Sequence, residues 1–166
     1  MNKFLLLCAS LSFLLNGAVT MANTANIQEN INIDSKSKCI SLDIKEVVAR
    51  HGKQCRNTAV YFNIKNTSDE DIVITGAHAH DIAETVEVHN IIKNEEFVEK
   101  MKKLDKLLVP KGATVIFKPR SLHIMLMNLK KDLILDETFK MTLNTDKGDQ
   151  ELIVTIKKPN QINNKE

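Results

Sequence analysis

The chain has 166 residues, 43% hydrophobic and 27% charged, the length and balance of one globular domain. Lys plus Arg number 23 and Asp plus Glu 21, giving a net charge of +2; proteins that grip phosphate backbones carry a larger excess or a basic cluster, so nucleic-acid binding is not expected. Five glycines and three prolines argue against collagen-like or low-complexity sequence, and with no tryptophan the core must be built from Ile, Leu and Val.

The first segment reads as an address. Met1-Asn2-Lys3 is a short positive start, Phe4 to Leu15 is a 12-residue apolar run, and Thr20-Met21-Ala22 offers small residues flanking a cleavage point. The pattern predicts a secretory signal peptide over residues 1–22. A spanning helix needs ~20 apolar residues, and this run is shorter. Cys8 lies inside the apolar run rather than after small residues at its end, so lipidation is not expected. Cleavage removes Lys3 and no acid, so the net charge of the mature chain becomes +1. It also leaves Cys39 and Cys55, an even pair for which an exported chain makes a disulfide the default. Closing that loop of about 15 residues would stabilise the fold by roughly 3 kcal/mol. The rival reading is a thiol pair for metal or redox work, but the spacing is far from C-x-x-C.

Residues 23–38 are polar and aperiodic and read as a flexible leader; 159–166 read as a flexible tail. The domain between them, 39–158, alternates with period two. Ile40, Leu42 and Ile44 alternate first, followed by Ala59–Ile64, Asp71–Thr75, Thr85–His89, Glu96–Met101, Ala113–Phe117 and Leu122–Met127. Phe139, Met141 and Leu143 alternate next, then Leu152, Val154 and Ile156. Such runs are half-buried strands. Turn chemistry separates them at Asn66-Thr67-Ser68-Asp69, Pro110-Lys111-Gly112 and Asp146-Lys147-Gly148-Asp149. Many short strands at regular spacing predict an all-β sandwich or barrel.

Soft-metal donors recur in this frame. His123-Ile124-Met125 places an imidazole and a thioether on one face of a strand, because residues i and i+2 share a face about 6.7 Å apart. Met127 extends that stripe; the bland alternative is that both methionines fill core. His89 shares parity with Glu87 rather than with Val86 and Val88, which predicts a surface histidine. Met101 lies beside Lys102 and Lys103, an odd place for a core methionine.

His89-Asn90, ten residues, Met101, twenty-one residues, then His123-Ile124-Met125 resembles the motif of the PCu(A)C family of periplasmic copper chaperones. Ala59-Val60-Tyr61-Phe62-Asn63-Ile64-Lys65-Asn66 resembles that family's early strand and Asn turn, and His123–Lys130 its most distinctive segment. The similarity runs from about Ile40 to Lys157. The resemblance implies a cupredoxin-like Greek-key β-sandwich in the periplasm that holds one Cu(I) through His89, Met101, His123 and Met125. It implies a copper-accepting partner, such as a cytochrome oxidase subunit or another assembly factor, and a monomeric chain. Three departures stand out: Asn90 replaces a frequent Met or Glu, Arg120-Ser121-Leu122 replaces Gly-rich sequence, and Asn128 replaces a frequent Gly. Asn tolerates the left-handed conformation such a turn needs. The tail has no His or Met, so a second site there is unsupported.

The donor chemistry points the same way. Thioether and imidazole suit Cu(I), whereas zinc and hard ions prefer thiolate, carboxylate or oxygen sets. In an oxidising compartment Met escapes the disulfide formation that removes thiol ligands. Four neutral ligands would hold Cu(I) yet release it by ligand exchange. His78 and His80 could bind Cu(II) or Zn(II), although two loop histidines are the plainer reading. His51 reads as a turn residue. Lys100, Lys102, Lys103 and Lys106 form a basic patch that is either a solvated face or a guide for an acidic partner. A blue-copper electron carrier would need a Cys ligand, and none follows Cys55. A metal-free secreted interaction module is the remaining alternative. No nucleophile elbow, H-E-x-x-H or P-loop suggests an enzyme, and Asp69, Glu70 and Asp71 read as a turn.

Overall fold

The computed structural model describes residues 41–93 and 98–162. The expected signal peptide, the leader and Cys39 lie outside the described residues, and with Cys39 so does its pairing to the exposed Cys55. The described chain forms ten strands: β1 (Leu42–Arg50), β2 (Thr58–Asn66), β3 (Ile72–His78), β4 (Ala83–Lys93), β5 (Glu99–Lys103), β6 (Leu107–Val109), β7 (Thr114–Phe117), β8 (His123–Leu129), β9 (Thr138–Thr145) and β10 (Gly148–Lys157). Alternation made the strands legible: on β9, Phe139, Met141, Leu143 and Thr145 are buried, while Lys140 between them is exposed and Thr142 and Asn144 are half-buried.

The ladder runs β5-β4-β8-β2-β1-β10-β9-β3-β6, and β7 also pairs with β2. Only the β1–β10 pairing is parallel, matching Val48 with Thr155. Strand β1 joins the two halves of the ladder. A register shift lies between Lys45 and Val48, and Glu46 within it has a φ of 55°. A bulge of this kind sharpens the local twist and lets one strand serve two sheets. The chain crosses between the halves at β2–β3, β3–β4, β5–β6, β6–β7 and β8–β9. This is the all-β class that the alternation predicts, in the Greek-key arrangement that the resemblance implies.

One core fills the space between the halves. Val60, Phe62, Ile64, Val88, Ile124 and Leu126 from one half pack with Ile74, Met141, Leu143, Val154 and Ile156 from the other. Phe62 and Phe117 face each other in the β2–β7 register and stack at 4.1 Å between ring centroids. Opposite that core, Ala59, Tyr61 and Ile162 form a small buried cluster on the outer side of β2, with Val48 and Met125 packed against it.

That cluster corrects the expectation of a flexible tail from residue 159. Pro159–Gln161 form a single 3₁₀ turn, and Ile162 beyond it is 5% exposed. One isoleucine in a polar run carries no period, so its burial depended on Tyr61 and Ala59 being uncovered nearby. Strand β6 was also invisible in the sequence, because Leu107-Leu108-Val109 is too short to show alternation; it forms by pairing Val109 with Ile72.

The turns follow their chemistry. Asn66 is fully buried, and its amide nitrogen donates to the Glu70 carbonyl at 2.7 Å and the Val109 carbonyl at 2.9 Å. Its side-chain oxygen accepts from the Ser68 backbone N–H at 3.0 Å and the Ser68 hydroxyl at 2.6 Å. Gly112 and Gly148 take positive φ at the two glycine-bearing turns. Asn128 has a φ of 52° and Arg120 a φ of 60°. Both are positions where the resemblance expects glycine, and both adopt the conformation that glycine favours.

Two stability measurements follow. Asn66→Leu removes the amide that bonds the buried Val109 carbonyl and the oxygen that accepts from the Ser68 N–H, and should lower the unfolding free energy by about 2–3 kcal/mol, read as a lower urea midpoint with an unchanged slope. Arg120→Gly relieves a left-handed residue at some cost in chain entropy and should raise stability by about 0.5–1 kcal/mol. A fall in stability for the second variant would show that the Arg120 side chain outweighs its backbone strain.

Candidate functional site: a histidine pair flanked by thioethers

The site lies where β5, β4 and β8 run side by side. In the register, His89 stands directly opposite His123 on β8 and Lys103 on β5. Glu87 stands opposite Met125, and Ile91 opposite Met101. Residues opposite one another, and those two apart along a strand, share a face of the sheet. All four residues implied by the resemblance therefore lie on one face, the one turned away from Val86, Val88, Ile124 and Leu126.

The histidines meet; the methionines flank them. The rings of His89 and His123 sit 5.9 Å apart at 75°, within the roughly 4.5–6 Å that two imidazoles sharing one ion through ~2.0 Å bonds adopt. Met101 lies one alternate-residue step to one side of this pair and Met125 one step to the other. Their Cα atoms are thus about 13 Å apart along the strand direction. Met101 is 50% exposed on the edge strand β5. Met125 is half-buried against the Tyr61 cluster. Met127 shares the face, opposite Thr85, one step farther from the histidines.

His89 departs from the sequence expectation. It was read as a surface histidine, but it is 8% exposed, and His123 is 5% exposed. Beside the pair, the Tyr61 ring lies 6.4 Å from that of His123, and the turn before β8 closes through Lys118 N–H to the Leu122 carbonyl.

Each buried ring is held by a defined partner. His123 Nδ1 donates to the Ser121 carbonyl at 2.8 Å, so its lone pair is on Nε2. Burial holds the His123 pKa below its ordinary value; the Ser121 carbonyl opposes this and nearby His89 adds to it. A neutral imidazole is the ligating form. His89 Nε2 donates to Glu87 Oε2 at 2.8 Å, and Lys103 Nζ donates to Glu87 Oε1 at 2.8 Å. The lysine and the histidine, in that order, hold the Glu87 carboxyl below its usual range. His89 Nδ1 is then buried with no hydrogen-bond partner among the described residues. An orphaned buried nitrogen costs about 1–3 kcal/mol unless something binds it.

Sequence reasoning missed Glu87 and Ser121 as functional neighbours. The signal for Glu87 is its shared parity with His89, which by itself indicates only a polar face. Ser121 acts through its carbonyl, which no residue type encodes. Lys103 is tied to Glu87, while Lys100, Lys102 and Lys106 are exposed. Among the described residues, no group of three or more His, Cys, Asp or Glu side chains is placed to hold a metal, so a metal at the histidine pair would draw on the thioethers. No helix among the described residues is long and apolar enough to cross a membrane.

Comparison with known proteins agrees on the fold. The chain is similar to the copper-bound PCuAC domain from PmoF2, with a TM-score of 0.60 at 17% identity over 72% of this chain and 96% of that one. It is similar to the apo PCuAC domain from PmoF1, with a TM-score of 0.59 at 20% identity over 72% and 97%. The Cu(I) form of DR1885 from Deinococcus radiodurans matches with a TM-score of 0.55 at 24% identity over 75% and 83%. At these identities the likeness establishes a PCuAC-like fold. The uncharacterized protein RP573 of Rickettsia prowazekii (strain Madrid E) is 35% identical over 98 residues. That stretch covers 58% of this chain and 53% of RP573, so the chain spans about half the length of this relative. Residues 42–156, from the first residue of β1 almost to the end of β10, match the family described as "Putative lipoprotein LpqE-like", and the chain belongs to this LpqE-like family.

Proposed function

We propose that this protein is an exported copper chaperone rather than an enzyme. It binds one Cu(I) at the histidine pair and passes it to a partner protein, with assembly of a cytochrome oxidase copper site as the destination. The observation that carries the reading is His89 Nδ1, a buried nitrogen whose lone pair faces no partner while Glu87 occupies the other side of the ring. Metal-ligating histidines characteristically donate their second N–H to a carboxylate or a backbone carbonyl, which fixes the ring and raises its basicity. His89 does so to Glu87, and His123 to Ser121. Copper in the PCuAC domains of similar fold supports the same assignment. The lipoprotein description of the family fits export.

His89 and His123 supply nitrogen donors, and Met101 and Met125 supply thioethers from either side. In the register each methionine lies one alternate-residue step from the histidines, on opposite sides, so the two thioethers would reach an ion at the pair from opposite directions along the sheet. Met101 is the exposed ligand, so exchange begins there. A donor from the partner takes its place on copper, and the metal leaves by successive ligand substitution with its charge unchanged. The exposed Lys100, Lys102 and Lys106 beside it would draw an acidic partner.

Anaerobic Cu(I) titration against a chromophoric chelator should give a one-to-one complex, and X-ray absorption should show both sulfur and nitrogen neighbours. His123→Ala should abolish the complex, and Met101→Leu should weaken it while removing sulfur signal. Glu87→Gln should lower affinity about 10–100-fold. Absence of a one-to-one complex, or full affinity in the doubly substituted Met101 and His123 chain, would overturn the reading. Copper transfer to an acidic acceptor should slow as salt rises; a salt-independent rate would leave the lysines as an ordinary solvated face.

A further inference from the structure

A second pair of imidazoles lies where β3 turns into β4. The rings of His78 and His80 are 4.7 Å apart with a 31° tilt. This is the compact end of the roughly 4.5–6 Å that two imidazoles adopt when they share one ion through ~2.0 Å bonds. The turn fixes both positions. Ala79 between them is buried, its carbonyl accepts from the N–H groups of Ile82 and Ala83, and the His80 carbonyl accepts from Lys130 Nζ at 2.7 Å. His78 is half-buried and His80 exposed.

His78 is also oriented. Asp149 Oδ1 accepts from Asn144 Nδ2 at 2.9 Å, and a carboxylate can only accept, so the amide nitrogen of Asn144 faces Asp149. The amide oxygen of Asn144 therefore faces His78 Nδ1, at 3.2 Å. That contact makes His78 Nδ1 the protonated nitrogen and leaves the lone pair on Nε2. Gly76 stands opposite Asn144 in the β3–β9 register, and a Cβ there would lie 3.9 Å from the amide oxygen. That is ordinary van der Waals distance, so the Asn144 side chain lies directly over Gly76 on the way to His78. Metal-ligating histidines donate their second N–H to an outer-shell acceptor, usually a carboxylate or a carbonyl, and the amide oxygen of Asn144 fills that place for His78.

We propose that His78 and His80 are two ligands of a second metal site, for a divalent imidazole-preferring cation of the Zn(II) or Cu(II) class, with water in the remaining positions. The site is separate from the His89–His123 pair. Ala83 begins β4 opposite Leu129, six residues from His89, which is about 20 Å along the strand. It also lacks thioethers, so it selects a different ion from the reduced copper proposed for the other pair. A chain carrying both sites could bind copper in either oxidation state without the two forms competing for the same ligands.

The purified protein should be titrated with Zn(II) by calorimetry, and with Cu(II) followed by electron paramagnetic resonance. One Zn(II) per chain is expected. Its affinity should fall at least tenfold in His78→Ala and in His80→Ala, and about 10–100-fold in Asn144→Ala. It should hold in His89→Ala. Nitrogen-15 shifts of the His78 and His80 rings on adding Zn(II) provide a readout that does not depend on any variant folding, and His78 should respond at Nε2. Cu(II) uptake with nitrogen hyperfine structure but no Zn(II) uptake would keep the site and assign it to a tetragonal ion. Binding that survives loss of both imidazoles, ring shifts confined to other histidines, or uptake of neither ion would overturn the proposal.

Discussion

The register of β4 against β8 is the constraint on which the candidate site rests. It sets His89 opposite His123, and its counterpart against β5 sets His89 opposite Lys103. Because side chains alternate with period two, a slip of one residue in β4 would send His89 into the core and bring Val88 out, leaving His89 on the face opposite to His123. Burying Val88, Ile124 and Leu126 therefore fixes the donor face as firmly as it fixes the core. The chemistry of the outer face is a by-product of apolar packing on the inner one.

Within that frame the Glu87 cluster is unlike the other ion pairs. Lys53–Asp132 and Lys140–Glu151 are exposed pairs of the kind that water and salt screen and that add little to stability. Glu87 has a side chain only 16% exposed, and it joins a lysine to a buried imidazole. Its effect is positional. It holds one nitrogen of His89 and so decides which nitrogen remains for a ligand. The unpaired nitrogen is a local cost in the metal-free chain, and a bound ion removes it. Asn144 stands in the same relation to His78, with an amide in place of the carboxylate and Asp149 behind it. Two histidine pairs, one in the middle of β4 and one in the turn that leads into it, thus share one principle: a ring held from behind presents its other nitrogen.

Much of this was readable beforehand. The strands from β2 to β4 and from β7 to β10 followed from alternation, because half-buried strands must alternate. The left-handed turns at Arg120 and Asn128 were marked by the departures from glycine. The common face of His123 and Met125 followed from i and i+2 spacing. Burial was where the reading failed. His89 has a polar neighbour at i−2, which looks like a solvent-facing position, yet Glu87 is engaged by both His89 and Lys103 and the His89 ring is buried beside that of His123. Ile162 failed in the opposite sense, since a single isoleucine in a polar tail carries no periodic signal.

The sequence by itself determined the strand periodicity, the turn positions and the kinds of donor atom available, because these are properties of residue type and local spacing. Only the tertiary structure decided which strands became neighbours, that His89 met His123 and His78 leaned on Asn144, and that Met101 and Met125 stood on opposite sides of the imidazoles. Those relations join residues separated by tens of positions. They are set by the sheet register and by how the core packs, and no local pattern in the chain encodes them.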